Sequence, residues 1–237
     1  ALSLHELRRK ARDKFSRAES MWLDRVGLEQ STSEAVARHK ALRFSEPTWD
    51  LCCGIGGDAV ALAARCDVTA VDRNPAACLR VEWNAEVYGV ASRVKTICSD
   101  VGSLKEIGGF LHIDPDRRPG SAGRVSRVED YEPGLPVLKE LMARCRGGAI
   151  KVGPASNFGG KFDDVEIELI SLGGECKEAT IWFGELAGEA PFRATALPSG
   201  ETIAGHPLDA SVGIVPLGRY IFDPDPAVVR AGMIDLV

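Results

Sequence analysis

The spacing of apolar residues along the chain changes near Pro47. Before it, apolar side chains recur every three or four positions, as Ala37, Ala41 and Phe44 do, which is typical of helices packed on a core. Arginines and lysines dominate the start of this segment, which reads as a helix with a solvated basic face. The pattern therefore predicts an N-terminal helical extension over residues 1–46.

After residue 47, short apolar runs alternate with helical patterns. The runs that predict strands cover 49–53, 67–72, 94–100, 110–114, 149–152, 179–183 and 219–222, and a hairpin is expected over 192–204. The segment 165–172 is predicted to be helical. Alternating strands and helices predict an α/β, Rossmann-like sheet that is mostly parallel and doubly wound, here with seven strands. The hairpin and the late strand indicate an antiparallel C-terminal edge.

The last part of the chain leaves two interpretations open. Residues 47–237 are expected to form the main domain, with the hairpin inserted near 190–206. Beyond residue 225, the apolar stretch 227–237 resembles the start of a helix. The chain is either a fragment with a truncated C-terminal domain or one that ends in a natural helix.

Composition and charge narrow the class of protein. The chain is 45% hydrophobic and has a net charge of −5, which argues against a disordered chain and a globally basic nucleic-acid binder. A membrane span needs about 18 or more consecutive apolar residues, and charges or Gly/Pro interrupt every run sooner. The seven cysteines contain no C-x-x-C pair, which favours reduced thiols over a disulfide framework or a metal site. We expect a cytoplasmic protein without metal.

Acidic residues and glycines end four consecutive predicted strands. The first strand leads from Asp50 into the turn 54–57, and the next three end at Asp72, Asp100 and Asp114. Ligands of such sheets bind outside the carboxyl ends of the strands. The sequence therefore predicts a binding site on this rim.

Two cofactors fit the glycine turn. Residues 54–59, Gly-Ile-Gly-Gly-Asp-Ala, match the G-x-G-x-x-G/A dinucleotide fingerprint, and Asp72 is near the spacing of a ribose-binding carboxylate. An NAD-dependent oxidoreductase is therefore one alternative. Against it, Asp50 would repel a pyrophosphate, and no hydride-transfer residues are evident. S-adenosylmethionine, which carries a sulfonium and an amino group but no phosphate, suits an acid-rich rim better.

Several motifs carry a family resemblance. The segments 50–57 (DLCCGIGG), 71–75 (VDRNP), 84–89 (NAEVYG) and 97–100 (ICSD) resemble the class I S-adenosylmethionine-dependent methyltransferases, and most closely their trimethylguanosine synthase branch. Further segments, 27–32, 37–44, 114–118 and 197–200, are similar to bacterial methyltransferases that carry a C-terminal THUMP-like domain. The resemblance covers about residues 25–230 and implies S-adenosyl-L-methionine as the cofactor.

The resemblance also implies roles for individual residues in cofactor binding. Gly54 and Gly56 would pass beneath the methionine part, with Asp50 near its amino group. Asp72 would hold the ribose hydroxyls. The adenine amine would donate to Asp100, with Val101 beside the ring. The expected cofactor contacts further include Cys52 and Arg73, next to these motifs, and Gln30 and Thr32, for which a helix cap with a polar neighbour is the alternative.

The fourth strand end departs from the family pattern. Amino-group methyltransferases usually carry Asp/Asn-Pro-Pro followed by an aromatic residue, whereas this chain has Asp114-Pro115-Asp116-Arg117. Asp114 and Pro115 remain to orient an amine, and Arg117 is expected to replace part of the missing aromatic stack.

Arg117 also begins a cluster of arginines. Together with Arg118, Arg124 and Arg127 it suits a phosphate-bearing substrate, unless these arginines pair with the acidic run 129–132.

The sequence therefore predicts an enzyme of RNA modification, a transferase that methylates a nitrogen of RNA or of a nucleotide-like substrate. The expected catalytic residues are Asp114, Pro115 and Arg117. Besides the oxidoreductase, the alternative is a non-catalytic module that binds S-adenosylmethionine. His112, in the middle of the fourth predicted strand, is expected to be a core histidine.

Overall fold

A computed structural model describes residues 3–117, 127–209, 216 and 218–237 of the chain. Its helices are α1 (Leu4–Ala11), α2 (Arg25–Gln30), α3 (Glu34–Ala41), α4 (Gly57–Ala63), α5 (Pro75–Tyr88), α6 (Leu135–Arg144) and α7 (Pro226–Ala231). Its strands are β1 (Thr48–Leu51), β2 (Val68–Asp72), β3 (Val94–Cys98), β4 (Phe110–Ile113), β5 (Gly147–Val152), β6 (Val165–Leu172), β7 (Glu175–Gly184), β8 (Phe192–Leu197) and β9 (Glu201–Gly205). Short 3₁₀ turns include Val101–Ser103, directly after the third strand.

All of these strands join one sheet in the order β3-β2-β1-β4-β5-β7-β6-β8-β9. The five strands from β3 to β5 run parallel, and β7 pairs with β5 and β6 in the antiparallel direction. The hairpin β8–β9 extends the sheet beyond β6. The predicted α/β class, with a mostly parallel sheet and antiparallel strands towards one edge, is therefore confirmed.

Three details of the sequence prediction differ from the structure. The sheet contains nine strands rather than seven, because the hairpin adds two strands to it. The segment 165–172 is a strand, not a helix. The segment 219–222 lies outside any strand, and Tyr220, Ile221 and Phe222 are exposed.

The helix prediction for β6 overlooked a local signal, because acidic and apolar residues alternate at its start, which is typical of a strand. Glu166 and Glu168 alternate with Ile167 and Leu169, and all four side chains are buried. Two arginines, Arg43 and Arg193, satisfy Glu166 among other donors. Burying a carboxylate is expensive without such partners, so β6 depends on partners that are distant in the sequence.

The carboxylate of Glu168 predicts an acid dependence of stability. Burial alone would raise the pKa of Glu168, but hydrogen bonds from His39 and Thr195 and the charge of Arg43 lower it to about 2, from an ordinary 4.5. Because the folded-state pKa is depressed, the stabilisation is complete above pH 4.5 and is lost as the pH falls towards 2. The loss amounts to about 3 kcal/mol.

Urea unfolding of the wild type and of Glu168→Gln between pH 7 and pH 3 measures this dependence. We expect the stability difference between the two proteins to shrink as the pH falls below 4.5. The control is the same substitution, glutamate to glutamine, at the exposed Glu201 of β9. A wild type that keeps its full advantage over Glu168→Gln at pH 3 would contradict the assignment.

The N-terminal extension packs against the start of the parallel sheet. Ala37, Ala41 and Phe44 of the α3 region share a hydrophobic cluster with α4. Phe15 and the residues around it form a second cluster that includes Ile55 of the glycine turn. The extension thus covers the turn after β1. This packing brings polar residues of the extension to the carboxyl ends of the strands.

Close packing at the centre of the sheet predicts a large effect for Gly148→Ala. A Cβ atom at Gly148 would lie 2.1 Å from the Leu111 carbonyl oxygen and 2.8 Å from the Phe183 ring. Because these neighbours belong to adjacent strands, we expect destabilisation of about 3 kcal/mol or more in urea unfolding. Gly108→Ala is the control, since no heavy atom lies within 4 Å of its added Cβ. Equal stabilities of the two variants would show that the sheet can adjust at this point.

No helix within the described part of the chain is long and apolar enough to cross a membrane.

Candidate functional site

A cavity of about 670 Å³ lies at the carboxyl ends of the parallel strands. This volume is within the usual range of small-molecule and cofactor sites. Most of the residues that the sequence singled out line it: Gln30, Thr32, Asp50, Cys52, Gly54, Asp72, Arg73, Asp100, Val101, Asp114, Pro115 and Arg117. The predicted strand ends therefore converge on one site.

The glycine turn after β1 forms the floor of this cavity. Gly54 has a φ of +54°, a left-handed conformation that favours glycine, and an added Cβ would meet no atom within 4 Å. Its α-carbon therefore faces open space, where a ligand can approach the backbone. Gly56 has a different surrounding, because its added Cβ would lie 3.2 Å from Val81 of α5, and it borders a smaller cavity behind the turn. The structure thus places Gly54, but not Gly56, on the main cavity.

Asp72 links the end of β2 to the glycine turn. Its Oδ2 accepts a hydrogen bond from the Gly54 backbone N–H (3.0 Å), and its Oδ1 accepts one from the Asn74 N–H (2.9 Å). An ionised carboxylate has about four acceptor positions, so about two remain for a ligand. Asp72 can therefore hold the glycine turn and accept from a pair of ligand hydroxyls at the same time.

The end of β3 offers a second acidic position and an apolar surface. The Oδ1 atom of Asp100 accepts from the Gly102 N–H at 2.8 Å, which caps the turn Val101–Ser103. Val101 is buried next to it. A carboxylate beside an apolar side chain suits a planar heterocycle that carries an amine.

Asp50 is one of the most buried acids of the site. It is 1% exposed, and its Oδ1 accepts a hydrogen bond from His112 Nδ1 at 2.7 Å on the neighbouring strand β4. Its Oδ2 has no hydrogen-bond partner among the described residues. Burial raises the pKa of Asp50, although the hydrogen bond to His112 opposes this shift. A buried acceptor without a partner is costly, so a donor from a ligand would satisfy it.

The N-terminal extension contributes one wall. Gln30, at the end of α2, donates through Nε2 to Asp116 Oδ1 (3.2 Å). Thr32 is buried and donates to Asp58 Oδ2 (2.6 Å) at the start of α4. Both residues border the cavity, and both are held by acids of the main domain.

Asp114, at the end of β4, is paired with a buried lysine. Lys151 of β5 donates to Asp114 Oδ2 at 2.6 Å and to the Gln30 carbonyl at 3.2 Å. Pro115 is buried directly after Asp114. The ion pair occupies Oδ2 of Asp114 and leaves its other oxygen for an amine that approaches through the cavity.

The arginines near this strand end have different surroundings. Arg117 borders the cavity, as does Arg73, which is paired with Glu132 across the rim. Arg127 is exposed and lies 3.8 Å from Asp130, so it pairs with the acidic run as one alternative proposed. Arg118 and Arg124 lie outside the described residues.

The cysteines of the glycine turn are not suited to act as nucleophiles. Burial raises the pKa of Cys52 and of Cys53 well above the ordinary value of a thiol, and nearby carboxylates add to the shift. Cys52 lines the cavity as a small neutral side chain. Within the described part of the chain, no group of three or more His, Cys, Asp or Glu side chains is placed to hold a metal ion.

Three residues of the site were missed as such by the sequence analysis: Lys40, His112 and Lys151. Each is a basic residue at a position where the pattern of the surrounding helix or strand predicts an apolar one, and this departure was visible in the sequence. Lys40 lies on the apolar face of α3, and the other two lie within buried strands. Their partners are 18 or more residues away, so the sequence could not show what they contact.

The architecture matches that of a solved structure. A Porphyromonas gingivalis protein, provisionally described as a methyltransferase, superposes with a TM-score of 0.74 at 20% identity, over 98% of this chain and 64% of that one. The protein has the class I methyltransferase fold. At this identity the similarity concerns the fold alone, and the activity has to be argued from the site.

Sequence comparisons agree with this assignment. A family profile described as RNA cap guanine-N2 methyltransferase matches residues 46–144. Two curated proteins from Mycobacterium tuberculosis strains, each described as an uncharacterized S-adenosylmethionine-dependent methyltransferase, are 35% identical over 224 residues. The match covers 91% of this chain and 61% of theirs, so the chain spans less than two thirds of the length of these relatives.

Proposed function

We propose that the protein is an S-adenosylmethionine-dependent methyltransferase that transfers a methyl group to a nitrogen of RNA. The observation that carries the cofactor assignment is that three carboxyl groups and the open backbone of one glycine border one cavity. Asp50 lies in β1, Gly54 follows β1, and Asp72 and Asp100 lie at the ends of β2 and β3, in the order that the resemblance implies.

The residues present fit each part of this cofactor. The free Oδ2 of Asp50 suits the amino group, and the open face of Gly54 suits the methionine chain. The remaining acceptor positions of Asp72 suit the two ribose hydroxyls, and Asp100 beside Val101 suits the adenine.

The charges of the cavity favour this cofactor over a dinucleotide. A pyrophosphate at the glycine turn would meet the buried carboxylate of Asp50, whereas a cationic ligand gains from it. Asp58 also borders the cavity, but it is paired with Lys40. The carboxylate of Asp50 therefore argues against the NAD-dependent alternative.

In the proposed reaction, the bound cofactor supplies an electrophilic methyl group on its sulfonium. Asp114 accepts a hydrogen bond from the substrate amine and orients the nitrogen lone pair towards the methyl carbon. The transfer would replace an N–H bond of the amine by an N–CH₃ bond, with the proton passing to solvent and S-adenosylhomocysteine as the product that leaves. Positioning supplies most of the rate enhancement in such a transfer. Lys151 holds Asp114 by donating to its Oδ2, and the buried Pro115 directly follows Asp114 in the chain.

The proposal of an RNA substrate has narrower support. The profile that matches residues 46–144 describes an enzyme of the RNA cap. Arg117 borders the cavity three residues after Asp114, and its guanidinium can stack on a base or contact a phosphate. Together these observations favour a nucleotide whose exocyclic amine reaches Asp114.

Transfer of labelled methyl groups from S-adenosylmethionine to total cellular RNA tests the proposal. We expect the label in RNA, sensitive to ribonuclease and resistant to protease. Label in protein alone would exclude an RNA substrate but keep a methyltransferase. Calorimetric titration with S-adenosylhomocysteine and with NADH tests the cofactor separately, and binding of NADH alone would favour an oxidoreductase.

A further inference from the structure

A chain of buried polar groups runs from the cavity into the space between α3 and the sheet. It begins at Asp50, continues through His112 of β4 and reaches Lys40 of α3, and all three side chains are about 1% exposed. Lys40 in turn contacts Asp58 of α4 and Glu178 of β7. Residues from the N-terminal extension and from the sheet therefore meet in one network.

The geometry assigns the protons in this network. An ammonium group has three donors and no acceptor. Lys40 Nζ uses all three, towards Asp58 Oδ1 (2.9 Å), Glu178 Oε1 (2.9 Å) and His112 Nε2 (3.1 Å). Because Nε2 accepts, the neutral imidazole carries its proton on Nδ1, which donates to Asp50 Oδ1 at 2.7 Å. Lys40 thereby selects the histidine tautomer that can hold Asp50.

The charge balance supports this assignment. Burial alone would lower the pKa of Lys40, but the carboxylates of Asp58 and Glu178 raise it above its ordinary value. Lys40 is therefore protonated at neutral pH. The network holds three carboxylates against this one ammonium, with Lys151 a more distant cation that acts on Asp58. An additional cation from a ligand would reduce the excess negative charge.

The two acids that border the cavity differ in their remaining acceptors. Asp58 uses both oxygens within the protein, one towards Lys40 and one towards Thr32. Asp50 uses only Oδ1, and its Oδ2 has no partner among the described residues. The open acceptor in this network therefore belongs to Asp50.

We propose that His112 and Lys40 are positioning residues that hold Asp50 as the receptor for the amino group of the cofactor. This inference rests on the proposed binding of S-adenosylmethionine and deepens it. It also gives the N-terminal extension a role in cofactor binding, since Lys40 belongs to α3. A purely structural buried network, which only holds the strands and helix together, is the alternative.

Two histidine variants separate the contacts of the ring. His112→Asn keeps a donor near the position of Nδ1, which holds Asp50, whereas His112→Gln keeps a polar atom near Nε2, which contacts Lys40. The two ligands are S-adenosylhomocysteine and 5′-methylthioadenosine, which has the adenosine and the thioether but lacks the amino acid. Calorimetry gives the affinity of each variant for each ligand.

We expect His112→Gln to lose about tenfold or more in affinity for S-adenosylhomocysteine, the scale of one charge-assisted hydrogen bond. His112→Asn should stay within about threefold of the wild type, and both variants should bind 5′-methylthioadenosine as the wild type does. Equal losses for both ligands, or no loss for either, would overturn the inference and leave a structural role.

Lys40→Met provides a second measurement when it folds, which circular dichroism establishes. It should also lose affinity for S-adenosylhomocysteine alone, because Asp50 loses its oriented donor. The failure of the proposed function looks different, since the wild type would then bind neither ligand. The histidine pair keeps the inference testable if removal of the buried ammonium prevents folding.

Discussion

Replacement of Asp72 by alanine is expected to abolish measurable binding of S-adenosylhomocysteine. The variant removes the acceptor for the ribose hydroxyls and also the acceptor for the Gly54 N–H, so the glycine turn loses its support. Hydrogen bonds to a charged group contribute about 1.5–3 kcal/mol each. Loss of two such bonds corresponds to at least about a 100-fold rise in Kd, measured by calorimetric titration.

A matched aspartate makes this result specific. Asp67 precedes the same strand at the opposite end and is exposed away from the cavity. Asp67→Ala should bind the ligand as the wild type does. An unchanged Kd in folded Asp72→Ala would place the ribose elsewhere and would remove the main support for the assigned cofactor orientation.

The second large effect is expected for Asp114→Asn. The amide keeps the shape of Asp114 and an acceptor for Lys151, whereas alanine would leave the buried ammonium unpaired, at a cost of about 3–5 kcal/mol. We expect methyl transfer to RNA to fall by at least about 100-fold, since the amine loses its charged acceptor and its alignment. Affinity for S-adenosylhomocysteine should change by less than about threefold.

The same variant distinguishes an enzyme from a module that only binds the cofactor. Asp163→Asn, at an exposed acid outside the cavity, is the control for methyl transfer and should retain full activity. If Asp114→Asn transfers methyl groups at the wild-type rate, Asp114 does not orient the nucleophile. If neither the wild type nor the variant transfers methyl groups while both bind the cofactor, the binding module becomes the better explanation.

Much of the parallel sheet was predictable because its signals are local. Short runs rich in apolar residues, followed by glycine or by Asn-Pro, mark β1 and β2 regardless of their neighbours. The start of β6 alternates acidic and apolar residues, which is typical of a strand with one exposed face, yet both of its faces are buried. Its alternating glutamates are compatible with burial only because Arg43, Arg193 and His39 reach them from other elements. Local sequence patterns cannot predict the burial of charged residues whose partners are distant in the sequence.

In the candidate site too, some features follow from local sequence and others depend on tertiary packing. Because parallel strands present their carboxyl ends on one rim, the positions of Asp72, Asp100 and Asp114 in the sequence were enough to bring them together. The surroundings of Gly56 were harder to predict from the sequence, because two glycines of one turn face different neighbours. Only the packing of α5 shows that Gly56 faces Val81 while Gly54 faces the cavity.

The sequence by itself determined the fold class, the glycine turn and the acidic rim, because each depends on backbone conformation and on residue order within a few positions. Only the tertiary structure decided which partners the buried polar groups of the site have. Lys40 selects the His112 tautomer that holds Asp50, and Lys151 pairs with Asp114. These contacts join residues 37 to 72 positions apart, and a buried polar group is stable only when such a partner satisfies it.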